Sequence, residues 1–148
     1  MASVLVARIL GVLLFTAFAM AGLVKLTPWL DKFSGHTQEE MTQNFKHFAK
    51  VSPFAKAGFD INHNVYKNAV GAIELVCAIL MLLGGVGILS KLGNSILIIV
   101  MCGAVYTHIA VGHPWEELVP AVSLGSLLAI RLILLTFSSG DQEGKKRD

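Results

Sequence analysis

Glu74, Arg131 and His108 are ionisable side chains set inside, or at the edge of, long apolar runs, and a charge placed there is where membrane-embedded chemistry would reside. A carboxylate inside a membrane span is costly unless it meets a partner or takes up a proton. Counting about 1.5 Å per residue from Tyr66, Glu74 lies about 12 Å into its span, and Arg131 about 20 Å in from the same face along its own. His108 lies only about 5 Å deep by the same rise. These depths predict an intramembrane polar pair of Glu74 with Arg131, whose guanidinium stays charged and can grip a carboxylate with two parallel hydrogen bonds. His108 is the second candidate partner, and Arg131 could instead extend toward the opposite face. Such a pair either fixes helix register or takes part in transport or catalysis.

Little else in the chain suggests chemistry. It has no HExxH, no glycine-rich phosphate loop, no paired carboxylates on one helix and no Ser/His/Asp set in plausible proximity. Cys77 and Cys102 lie in apolar runs without CxxC spacing and read as small buried residues rather than a disulfide or a metal knuckle. His36, His47 and His63 stand at no ligand spacing in a polar stretch. No catalytic residue, cofactor or metal is expected, and the chain reads as a non-enzyme.

The elements that must position Glu74 and Arg131 are membrane spans. Hydrophobic residues make up 54% of the 148 residues and charged residues only 15%, against roughly a quarter in an ordinary soluble domain. The formal net charge of +2 is too small and too scattered for a nucleic-acid surface, which leaves membrane lipid as the surrounding partner. Apolar runs of the length that crosses about 30 Å of hydrocarbon fall at residues 4–24, 69–89, 92–112 and 118–137. This predicts an all-α, four-transmembrane-helix bundle in one domain, 1–137, with a long loop at 26–66 and a polar tail at 138–148. Short connections near Ser90-Lys91 and at 113–117 make the last three spans antiparallel, with Pro114 and Pro120 suiting a helix stop and a helix start. The first run, with Arg8 ahead and Ala19-Met20-Ala21 behind, imitates a signal peptide, but it is longer than the usual apolar core of about 7–15 residues and is taken as a span. Small residues four apart, at Ala7 and Gly11, Ala17 and Ala21, and Ala121, Gly125 and Ala129, suit close helix packing.

The loop has its own pattern. Met41, Phe45 and Phe48 recur at helical spacing between Glu39-Glu40 and Lys46/Lys50, and Thr37 with Glu40 fits a capping box. An amphipathic helix over residues 37–50 follows, either docked on the bundle or meeting a partner. Basic residues do not fix the orientation, because Lys25, Lys32, Lys46, Lys50, Lys56 and Lys67 in or beside the loop are matched by an equal number elsewhere. The last residues, Lys145-Lys146-Arg147-Asp148, look like a dilysine retrieval signal, which is read only on a cytosolic tail. With that signal operating, the chain resides in the endoplasmic reticulum membrane with both termini cytosolic and the long loop lumenal. The alternative is a basic cluster that only anchors topology.

Three collinear stretches carry a family resemblance: Gly22-Leu23-Val24-Lys25-Leu26-Thr27-Pro28, Val70-Gly71-Ala72-Ile73-Glu74-Leu75, and Val111-Gly112-His113-Pro114 followed by Arg131-Leu132. Together they resemble the novel acetylcholine receptor chaperone family, within the DoxX-like four-helix membrane proteins. The resemblance implies an endoplasmic reticulum protein that promotes folding, assembly and surface expression of nicotinic acetylcholine receptors, the alpha-seven type above all, without enzyme chemistry. Under it Trp29, Phe33, Phe45 and Phe48 would present an aromatic lumenal surface to the client subunit. Some bacterial members of the wider group are membrane subunits of thiol or quinone oxidoreductase systems, and that alternative would gather Glu74, His108 and Cys102 in one site. A purely structural or lipid-interacting membrane protein is the third reading.

Overall fold

The computed structural model describes residues 2–33 and 37–144, with side chains for all of these except 31–33 and 138–144. The Lys145-Lys146 signal, His36 and the side chain of Phe33 therefore lie outside the described residues. Among the described residues, four helices are long and apolar enough to cross a membrane: α1 (Ala2–Leu26), α4 (His63–Leu83), α5 (Ile88–Val111) and the Trp115–Phe137 part of α6 (Trp115–Gly144). In a bilayer, where no water meets the backbone, a helix satisfies its own peptide groups, and runs of 21–25 residues with mean hydropathy of 1.7 or more have the length and composition for it.

The four helices close into a ring in which α1 packs on α4 and α6, and α5 packs on the same two. Leu14, Phe18, Cys77, Ala78, Met81, Leu97, Met101, Ala121 and Leu128 fill the interior. Large apolar side chains such as Leu13, Val76, Leu83, Ile99 and Ile133 point outward instead, as a bundle solvated by lipid requires. The N-terminus of α1, the α4–α5 turn and the C-terminal part of α6 share one end, called here the terminal face. The long loop and the α5–α6 turn share the other, the loop face.

The loop carries a 3-10 turn at Pro28–Phe33, the amphipathic helix α2 (Gln38–Val51) and the short α3 (Pro53–Lys56). The capping box forms: the Glu40 amide donates to Thr37 Oγ1 at 3.2 Å and the Thr37 amide to Glu40 Oε2 at 3.0 Å. Phe45, Phe48 and Ala49 form the buried stripe of α2, which lies against α4 and α5.

Of the boundaries that differ from the sequence reading, two matter for the turns. The second span runs His63–Leu83 rather than 69–89, and its turn falls at Gly84–Gly87 rather than at Ser90-Lys91. Gly85 has φ +55°, and a Cβ on Gly84 would lie 2.4 Å from the Ser90 nitrogen, so the sharp reversal needs glycine. The apolar Val86, Ile88 and Leu89 hid that turn inside a continuous hydrophobic run. At the other end Pro114, not Pro120, precedes the helix start; Pro120 lies within α6, one turn in, where it has no N–H to give the Glu116 carbonyl.

Candidate functional site

Among the described residues, three polar clusters stand out in this bundle, and each is assembled by a close approach of backbone or a tight turn. The first joins α1 and α4. A Cβ on Gly22 would sit 2.6 Å from the Gly71 carbonyl oxygen, and a Cβ on Gly71 would sit 2.8 Å from Lys25 Cβ, so the two backbones touch there. That contact brings Lys25 Nζ to 2.7 Å from Glu74 Oε2, with a second hydrogen bond at 3.3 Å to the Ala21 carbonyl. Glu74 is buried at 3% exposure, so the ammonium neutralises a carboxylate that has almost no water. Above the pair, Gln38 Nε2 donates to the Val24 carbonyl at 2.9 Å and its Oε1 accepts from Lys67 Nζ at 3.4 Å. Gln38 thus serves a carbonyl that the end of α1 leaves without a helical donor, since the residue four on from Val24 is Pro28, which has no N–H.

The second cluster lies toward the terminal face. The Arg131 guanidinium, 1% exposed, donates from Nε to Ala7 O (3.0 Å), from Nη1 to Asn94 Oδ1 (3.2 Å), and from Nη2 to Gly85 O (3.2 Å) and Ser90 Oγ (2.8 Å). Asn94 in turn donates to the Leu128 carbonyl at 2.8 Å, and Ser90 Oγ donates to Met81 O at 3.1 Å. One side chain therefore ties α1, the α4–α5 turn and α5 to α6. Gly11 makes room for it, since a Cβ there would lie 2.8 Å from Nη2.

The expected pairing of Glu74 with Arg131 or His108 is thus corrected. Gly85, which Arg131 touches, is eleven residues beyond Glu74 on the same strand of chain, an axial offset of about 16 Å. Arg131 answers to neutral oxygens at one end, Glu74 to Lys25 near the other. Lys25 was missed because the first span was taken to stop at Val24; the observed helix carries it one residue inside the last turn.

The third cluster is at the loop face. Gly112, with φ +82°, caps α5 and folds the chain so that the His113 amide donates to His108 O at 3.0 Å. The two imidazoles meet with Nδ1 to Nδ1 at 2.9 Å, and Glu117 Oε2, in the first turn of α6, lies 2.6 Å from His113 Nδ1 and 3.7 Å from His108 Nδ1. Phe48 covers the pair, its ring centroid 4.9 Å from that of His108 and 5.7 Å from that of His113. Phe45 packs edge-on against Phe48 and Tyr66 at 5.6 and 5.9 Å.

Phe45 and Phe48 are therefore not an outward aromatic surface: at 7% and 8% exposure they are the residues that seat α2 on the bundle. Trp29, at 73%, does project from the loop face, where Phe54, Phe59 and Trp115 are also exposed. An open cleft of about 730 Å³ is lined by Lys46, Lys50, Phe59, Asp60 and His63. Both cysteines are free; Cys77 is in the core and Cys102 faces outward. Glu74, His108 and Cys102 do not share a site, since Glu74 is held by Lys25, His108 by His113 and Glu117, and Cys102 is on the outer surface.

A ring of four spans with an apolar outer wall, and with every buried side-chain polar atom among the described residues hydrogen-bonded, defines a small multispan membrane protein. The chain belongs to the DoxX-like family, whose model matches residues 9–130. It is similar to the novel acetylcholine receptor chaperones of Macaca fascicularis and Mus musculus, 30% identical to each over 125 residues that cover 84% of this chain and 72% of the relative. The Xenopus tropicalis protein of that name is 31% identical over 125 residues, covering 84% of this chain and 74% of its own.

Proposed function

We propose that the chain is a membrane chaperone of nicotinic acetylcholine receptor subunits, promoting their folding, assembly and surface expression, with the alpha-seven type as its principal client. The observation that carries this reading is the 30% identity across 84% of the chain to proteins named for that role. A bundle with its polar groups turned inward supports it. Lys25, Glu74 and Arg131 are all engaged inside, so the outer walls offer apolar helix surface against which a subunit's spans can pack, and the loop face adds exposed Trp29 and Trp115. Holding a subunit by such contacts needs no bond-making step and remains reversible when the next subunit arrives.

The chaperone would act where subunits assemble, in the endoplasmic reticulum membrane, with both termini cytosolic and the loop lumenal; the Lys145-Lys146 tail supports that placement. An oxidoreductase subunit is supported less, because Cys102, His108 and Glu74 have three separate environments. The test is surface binding of a labelled alpha-seven-selective toxin to cells expressing that subunit with and without this protein. A large rise is expected; no rise, with the protein present in the endoplasmic reticulum, would overturn the client assignment.

A further inference from the structure

We infer that His108, His113 and Glu117 form a site for one divalent transition-metal ion, with zinc the best-matched cation. The inference is independent of any receptor client. Two imidazole nitrogens and one carboxylate oxygen are a donor set that zinc takes with a fourth position left to water or an incoming ligand. Around a tetrahedral ion bound at about 2.0–2.1 Å, ligand atoms stand about 3.3 Å apart. The three separations here, 2.9, 2.6 and 3.7 Å, straddle that value, so small side-chain rotations suffice to receive an ion.

Proton accounting favours the ion. His113 Nδ1 faces both His108 Nδ1 and Glu117 Oε2. If it carries a hydrogen and gives it to Glu117, the His108 Nδ1 lone pair 2.9 Å away is left without it; if it is bare, it meets Glu117 favourably only when that carboxyl is itself protonated. A cation at the centre satisfies all three lone pairs together.

The frame holding the donors is also rigid. His108 is in the last turn of α5, Glu117 in the first turn of α6, and the left-handed Gly112 locks the reversal between them through hydrogen bonds from the Gly112 and His113 amides to the His108 carbonyl. Phe48 shields one side with an apolar ring, while the Glu117 side chain, 45% exposed, leaves an entry path from the loop face.

The test is zinc titration of the purified full chain in detergent micelles, in competition with a fluorescent zinc chelator and alongside thermal unfolding. The wild type should take one equivalent and unfold at a higher temperature with zinc. Glu117→Gln, which keeps the side chain's shape, should weaken binding at least about tenfold and abolish the thermal shift, because even outer-shell changes at metal sites cost that much. His113→Ala should do the same, while a His47→Ala/His63→Ala/Cys102→Ser variant should bind as the wild type does. Absence of stoichiometric binding, binding unchanged by Glu117→Gln and His113→Ala, or binding lost in the triple variant would overturn the inference.

Discussion

Lys25 reaches from the last turn of α1 to within 2.7 Å of Glu74 on α4, at the level where Gly22 and Gly71 bring the two backbones into contact. Breaking a buried ion pair by removing one partner costs on the order of 3–5 kcal/mol, because the other charge is stranded. The two removals here are unequal. Lys25, with 17% of its side chain exposed and at a helix end, can turn toward the loop face once Glu74 is gone, but Glu74 has nowhere to go. Lys25→Ala should therefore lower the thermal unfolding midpoint in micelles more than Glu74→Ala, and adding Glu74→Ala to Lys25→Ala should recover part of the loss. Equal losses that simply add would mean the pair is not coupled.

The glycines at that crossing rank in a definite order. Gly22→Ala drives a Cβ into the Gly71 backbone oxygen at 2.6 Å, which no side-chain rotation relieves, whereas Gly71→Ala meets Lys25 Cβ first, at 2.8 Å, and the Gly22 oxygen only at 3.1 Å. Gly103→Ala in α5 meets nothing within 4 Å and should be neutral, or stabilising by about 0.5–1 kcal/mol through its helix preference. Unfolding midpoints should follow Gly22→Ala below Gly71→Ala below Gly103→Ala. A Gly22→Ala protein as stable as the wild type would show that the helices do not touch.

The spans and the capping box of α2 were legible in the sequence because both depend on local pattern: a run of about 20 apolar residues, and Thr37 three before Glu40. Partnerships between elements were not. Reading depth along each span placed Glu74 and Arg131 within reach, but a span boundary misplaced by two residues hid Lys25, and a turn buried in apolar residues shifted the second span by six. The meeting of His108 with His113 and Glu117 escaped notice because the spacing of the three crosses a helix end. Only the left-handed Gly112, which reverses the chain, puts them together, and the Val-Gly-His-Pro string marks such a reversal without giving its direction.

Arg131 should be the least replaceable side chain in the bundle. Its planar fork serves four oxygens from three other parts of the fold, a geometry that a single ammonium cannot reproduce. Arg131→Lys should destabilise by about 3 kcal/mol or more, since Asn94 Oδ1 and the Gly85 carbonyl lose their donor in a place with little water. Gly11→Ala should lower stability as well by displacing Nη2. A wild-type unfolding midpoint in Arg131→Lys would show that the charge alone, not the fork, is what the site requires.

Two aromatic residues of the loop face separate packing from client contact. Phe48, 8% exposed, sits on His108 and His113, and deleting such a ring costs about 3–5 kcal/mol, so Phe48→Ala should reduce the amount of this protein in cells and, through that, any effect on receptor surface expression. Trp29, 73% exposed, has little packing to lose. Under the chaperone reading, Trp29→Ala should leave the protein's own level unchanged and still lower toxin binding at the cell surface, because an exposed aromatic anchor is the kind of residue that carries interface energy. Immunoblots of this protein run beside the toxin assay distinguish the two effects. Were Trp29→Ala to leave toxin binding intact while Phe48→Ala lowered it in proportion to protein level, the contact surface would have to be sought on the outer walls of the spans.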